Sequence, residues 1–112
     1  MKQTVRQPDS TTPARTPAAG PADSLLADIS RQADELLHNN RPEAAAQALE
    51  RGLRIAPKDG YLWSQLAEVR LAQHRYRQAL SLAKKSNSLA QGNRPLILRN
   101  QQIMVLTENQ LN

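Results

Sequence analysis

Two histidines, two tyrosines, one tryptophan and a scatter of carboxylates, lysines and arginines are the groups with which this 112-residue chain does any chemistry, and it has no cysteine. Covalent or acid–base catalysis needs a nucleophile beside a base, or titratable groups paired at a useful spacing. No such pairing occurs. His38 and His74 are each expected in the last turn of a helix, where a cation favours the helix dipole, so neither is read as a base or a ligand. Gly20, Gly52, Gly60 and Gly92 form no phosphate-cradling loop. Without thiolates or a histidine cluster no metal site is expected, and no cofactor. The chain reads as a non-enzyme, and what remains is the chemistry of recognition.

Charge is the strongest recognition signal. The formal net charge is +5, unevenly spread. Residues 23–68 carry eight acidic and five basic side chains, whereas residues 69–107 carry seven basic ones and none acidic. Arg75, Arg77, Lys84 and Lys85 make the second half a basic surface that would suit an acidic protein, anionic lipid or nucleic acid. Nucleic acid is the weakest of these readings, because no aromatic residues interleave with the basic ones and no reading motif is present.

The elements that position these groups are helices. Hydrophobic residues make up 39% of the chain, but Tyr61, Trp63 and Tyr76 are its only aromatics, so Leu, Ala and Ile must build the core. That favours close-packed helices over a sheet. Residues 1–22 hold Pro8, Pro13, Pro17 and Pro21 with almost no apolar content, and read as a disordered Pro-rich tether. No run of apolar residues is long enough to span a membrane. From residue 23 to 112 the spacing predicts five helices. The first is capped by Asp23 or Ser24, carries Leu26, Ile29, Ala33, Leu36 and Leu37, and stops at Asn39-Asn40. The second begins near Pro42 and ends before Pro57. The third is capped by Asp59 and bears Leu62, Trp63, Leu66 and Leu71. The fourth runs from Tyr76 to Leu89, with Gly92 as terminator. The fifth starts near Asn93-Arg94-Pro95 and buries some of Leu96, Ile97, Ile103, Met104 and Leu106.

Residues 34 apart repeat: Ser30 with Ser64, Ala33 with Ala67, Leu37 with Leu71, Arg41 with Arg75, Ala45 with Ala79 and Ala56 with Ala90. A 34-residue period over a helix-turn-helix unit resembles the tetratricopeptide repeat. Trp63, Leu66, Ala67 and Ala79 fit the second unit, and Ala33, Ala45, Leu49 and Pro57 the first. Ile29, Gln32, Arg70 and Gln91 depart from the pattern. The resemblance implies an all-α domain of two repeats, about 26–58 and 59–92, and a C-terminal capping helix over about 93–110 that solvates the array. Trp63 is expected to be largely buried between the repeats.

The resemblance also implies a protein-binding module whose first helices line a groove. By that geometry the groove is lined by Ala27, Ser30, Arg31, Asp34 and His38, then Tyr61, Ser64, Gln65, Glu68 and Leu71, then Leu98, Arg99 and Gln102, of which Ser30, Asp34, Tyr61, Ser64, Gln65, Glu68, Arg99 and Gln102 are the partner-binding candidates. Arg99 stands out because its own stretch of chain has no acidic competitor. Family members that clamp the C-terminal carboxylate of chaperones hold Lys and Asn at places where this chain has Ser30, Asp34, Gln65 and Pro95, and only Arg99 fits. A closer likeness is to small bacterial repeat lipoproteins of the LpoP type, carried by Leu49-Glu50-Arg51-Gly52-Leu53-Arg54-Ile55-Ala56-Pro57 and by Leu62-Trp63-Ser64-Gln65-Leu66-Ala67. Those are outer-membrane activators of a class A penicillin-binding protein, a peptidoglycan synthase. That likeness implies a place at the periplasmic face of the outer membrane, held by a lipid anchor lying outside this sequence, and the chain is expected to be a monomer. The alternative is a cytoplasmic adaptor or secretion chaperone.

Overall fold

The computed structural model describes residues 21–112, and over them the chain is all-α, two helix-turn-helix units followed by a C-terminal helix. The helices are α1 (Pro21–His38), α2 (Pro42–Ile55), α3 (Gly60–Ala72), α4 (Tyr76–Ser88) and α5 (Arg94–Leu111). The Pro-rich tether expected over residues 1–22 lies, but for its last two residues, outside the described residues. α1 starts at Pro21, ahead of the expected cap, which places Asp23 in the first turn with its carboxylate at the positive end of the helix dipole.

The 34-residue period is written into the helix ends. Asn40 closes α1 in the left-handed conformation (φ 61°), with the Arg41 N–H donating to the Leu36 carbonyl at 2.8 Å. His74 closes α3 the same way (φ 63°), with the Arg75 N–H donating to the Arg70 carbonyl at 2.8 Å. Each pair satisfies carbonyls that a helix end leaves open. His74 is thus a turn residue beyond its helix and not the last-turn cation expected; its Nδ1 lies 2.7 Å from the Tyr76 hydroxyl. Asp59 and Asn93 repeat one another too. The Asp59 carboxylate accepts from the N–H groups of Tyr61 and Leu62, and the Asn93 side chain from that of Leu96. Asp59→Ala is expected to lower stability by about 1 kcal/mol, read from a denaturant midpoint at unchanged slope. α4 ends at Ser88, so Gly92 (φ 80°) serves the loop into Asn93 and does not itself terminate the helix.

Small residues set the helix spacing. Ala33, Ala45, Ala67, Ala79 and Ala83 are all buried, and Gly52 lies so close to α3 and α1 that an added Cβ would stand 3.1 Å from Leu62 Cδ1 and 3.2 Å from Ile29 Cγ2. Leu49 and Leu62 fill the space between the units and are fully buried. Trp63 is only partly buried, contrary to the expectation. Its indole N–H must find an acceptor, and it reaches the Pro57 carbonyl at 2.8 Å on the edge of the α2–α3 loop.

α5 occupies the C-terminal capping position and is in register with α1 and α3 as a first helix, Leu96 being buried as Leu62 is. Asn100 stands where the second unit has Leu66. It is fully buried, its amide N–H₂ bonds Ser86 Oγ at 2.8 Å, and Ser86 in turn donates to the Gly60 carbonyl at 2.7 Å. The outer face of α5 is not the polar surface expected of a solvating helix. Leu106, expected in the core, is 51% exposed, and Leu98 and Val105 are 58% and 55% exposed.

Candidate functional site

The first helices touch one another in order, α1 with α3 and α3 with α5, while α2 and α4 make no contact with each other. The closer-packed side of such a two-layer array is its inner side, so the surface built by α1, α3 and α5 is the groove side. The eight residues expected there divide in two. Ser30, Ser64 and Gln65 are buried. Tyr61 and Glu68 are partly exposed, as is Arg99, and Asp34 and Gln102 are exposed.

The buried residues are spent on joining the helices. Gln65 uses its whole amide: the oxygen accepts from Ser30 Oγ at 2.8 Å, and the nitrogen donates to the Ser30 carbonyl and to Asp34 Oδ1, each at 3.0 Å. One repeat further on, Arg99 takes the place of Gln65, Ser64 that of Ser30 and Glu68 that of Asp34. Arg99 Nε donates to Ser64 Oγ at 3.0 Å, and Nη2 donates to Glu68 Oε1. The array therefore carries a hydrogen-bonded rung at each junction between first helices, built from the same three positions. Arg99 is not the uncontested guanidinium expected, because the acidic partner comes from α3 and not from its own stretch of chain. The Tyr61 ring, 5.1 Å from the guanidinium carbon, lies beneath it as a cation–π platform.

What the groove side offers a ligand is consequently a fixed patch of Tyr61, Glu68 and Arg99. The guanidinium keeps donors beyond the two used, and its geometry is already set by three neighbours. Gln102 lies on the outer side of α5, on a surface it shares with Arg99, Leu98 and Leu106. An open cleft of about 870 Å³ lies at the end where α1, α3 and α5 begin, with Lys58 and Arg94 in its wall. The helix N-termini there are already capped by Asp59 and Asn93.

The basic residues lie on a different surface. Arg75, Arg77, Lys84 and Lys85 are exposed along α4, away from the rungs. In the first unit the corresponding carboxylates meet α3: Glu50 pairs with Arg70 at 3.2 Å, and Glu43 accepts from Gln73 at 3.3 Å. In the second unit the residue equivalent to Arg70 is Met104, which carries no charge. Lys85 extends its ammonium to 5.8 Å from the Trp63 ring centre. Among the described residues no group of acidic, histidine or cysteine side chains is placed to hold a metal.

The sequence model of the tetratricopeptide repeat matches residues 36–99, more than half of the chain. No curated protein and no solved structure matches it. With the helix ends, the small-residue crossings and the inter-helix rungs all recurring at the period that the matched region spans, the chain belongs to the tetratricopeptide-repeat family.

Proposed function

We propose that this domain is a non-catalytic docking module that holds a protein partner on the groove side through Tyr61, Glu68 and Arg99, with the α4 basic face assisting. The observation that carries the reading is the prearranged Tyr61–Arg99–Glu68 patch. A guanidinium already immobilised by its own fold loses little entropy when it receives a partner's carboxylate or carbonyl. Arg75, Arg77, Lys84 and Lys85 lie too far round the domain to be central contacts, and act as a field that speeds encounter with an acidic partner.

In its finer form the proposal is a lipoprotein-type activator at the periplasmic face of the outer membrane, docking on a class A penicillin-binding protein. Support for it comes from the Leu49–Pro57 and Leu62–Ala67 strings and from a Pro-rich stretch suited to spacing a domain from an anchor. The test measures binding of the purified chain to a purified class A synthase, beside the synthase's polymerisation rate. Arg99→Ala and Tyr61→Ala are expected to raise the dissociation rate about tenfold or more. Reversing Lys84 and Lys85 to Glu is expected to slow association and flatten its salt dependence. Failure to bind the synthase removes the envelope reading and leaves the cytoplasmic adaptor. Groove variants of unchanged affinity, beside a charge reversal that abolishes binding, would move the site to α4.

A further inference from the structure

The least explained surface of the domain is the outer face of α5. Leu98, Gln102, Val105 and Leu106 fall within an arc of about 100° at the helical repeat, on the side turned from Leu96, Asn100, Ile103 and Thr107, which pack inward. Among the described residues no element covers this face, and three large apolar side chains more than half exposed along one helix are an association signal and not ordinary surface. The outer face of α1 sets Leu25 and the neighbouring Ile55 among Asp28, Arg31, Gln32, Glu35 and Arg51, so that end of the array is mostly charged and polar.

We infer that this face pairs with the same face of a second copy, α5 against α5 in antiparallel fashion about a two-fold axis beside Gln102. Three features of the face select that occupant. The apolar stripe is self-complementary, because reversing the helix about Gln102 sets Leu98 of one copy against Leu106 of the other, twice. Its centre is neutral: Gln101 and Gln102 meet their own counterparts without repulsion. Its charges are complementary at the ends. Arg94 and Glu108 lie on the same flank of the stripe, about 12 Å before and 9 Å after Gln102 at 1.5 Å per residue, so the antiparallel arrangement brings each Arg94 beside the Glu108 of the other copy. Glu108 is the only acidic residue of α5, and neither it nor Arg94 is in an ion pair among the described residues. A parallel arrangement would set Arg94 against Arg94 and Glu108 against Glu108. This pairing replaces the monomer expected from the sequence, and its edge reaches Arg99, which lines the same surface as Leu98, Gln102 and Leu106.

One helix of 18 residues supplies an interface at the small end of stable ones, so the dimer is expected to dissociate in the range of tens of micromolar. Sedimentation equilibrium of the full chain should show the mass rising with concentration from 12.4 kDa toward twice that value. Leu98→Asp, at a position exposed in the monomer, should keep the helical circular dichroism and weaken association at least tenfold. Arg94→Glu should weaken it severalfold, and Arg94→Glu with Glu108→Arg should restore it. The chain has no cysteine, so a Gln102→Cys variant should form a disulfide-linked dimer under mild oxidation, faster than a Gln47→Cys control on α2. A chain that stays monomeric at several hundred micromolar overturns the proposal. So does a dimer that Leu98→Asp leaves intact, or a charge swap that fails to restore what Arg94→Glu loses. A monomer whose Leu98→Asp variant loses a foreign partner overturns it as well, and assigns the face to that partner.

Discussion

Leu62→Ala is expected to cost about 3–5 kcal/mol, a large part of what holds a domain of this size folded. Leu62 has no exposed surface and reaches from α3 onto Gly52 of α2, at the junction where the two repeats meet. Truncating it removes the transfer energy of a buried isobutyl group and leaves a hole between helices held apart by their other contacts. The melting temperature should fall by more than about 10 °C. Ile55→Ala, at a side chain 45% exposed, should by comparison change stability by no more than about 0.5–1 kcal/mol. Because the methyl of Gly52→Ala would press on Leu62 Cδ1, the two sites are coupled. Gly52→Ala should be harmful or neutral alone, yet partly rescue Leu62→Ala by filling the hole, with an interaction energy of about 1 kcal/mol or more. Strict additivity in denaturant unfolding would show that α2 and α3 do not meet here as described.

The second large effect belongs to the buried rung. Gln65→Leu preserves volume but strips the Ser30 hydroxyl of its acceptor and Asp34 of a donor, at an expected cost of about 1–3 kcal/mol. Gln65→Ala adds a cavity and should cost more. Ser30→Ala combined with Gln65→Leu should recover part of the loss, since removing both partners leaves no orphaned polar group. At the equivalent rung Arg99→Met should cost about 1–2 kcal/mol, because the Arg99–Glu68 pair is partly open to solvent and screened while the buried Ser64 hydroxyl loses its donor. A larger loss at the Arg99 rung than at the Gln65 rung would contradict the greater burial of Gln65. With Arg99→Met first shown to be folded, its effect on partner binding reports the groove.

The helices and their ends were legible in the sequence because the signals are local. Asn40, Pro42, Asp59 and Asn93 act on their own neighbours, and Ala33, Ala67, Ala45 and Ala79 mark the crossings whatever surrounds them. The rungs were harder to see for the opposite reason. Each joins residues 31 and 35 positions apart, so the acid that claims Arg99 is invisible to any reading of the surrounding stretch. A signal did exist: Ser30 with Ser64 and Asp34 with Glu68 recur at the period, as does a long hydrogen-bonding side chain at Gln65 and Arg99. The placement of Trp63 is not legible from its type, because its size argues for burial while its N–H argues for an edge with an acceptor. The α5 face is not legible in the sequence because Leu96, Leu98, Ile103, Val105 and Leu106 exceed what one buried stripe takes, and a bare count of apolar residues does not show which are left over.

That each helix touches only the next one or the next but one has a kinetic meaning. Nothing in the described fold waits for distant parts of the chain to find each other; the farthest helix partners in sequence are successive first helices. Chains whose contacts are this local lose little loop-closure entropy before native contacts begin to compensate, and small helical domains of that kind fold in microseconds to milliseconds. Either unit can form first and template its neighbour, as in other linear arrays. The interval in which Leu98, Val105 and Leu106 stand exposed beside an unfolded core is correspondingly brief.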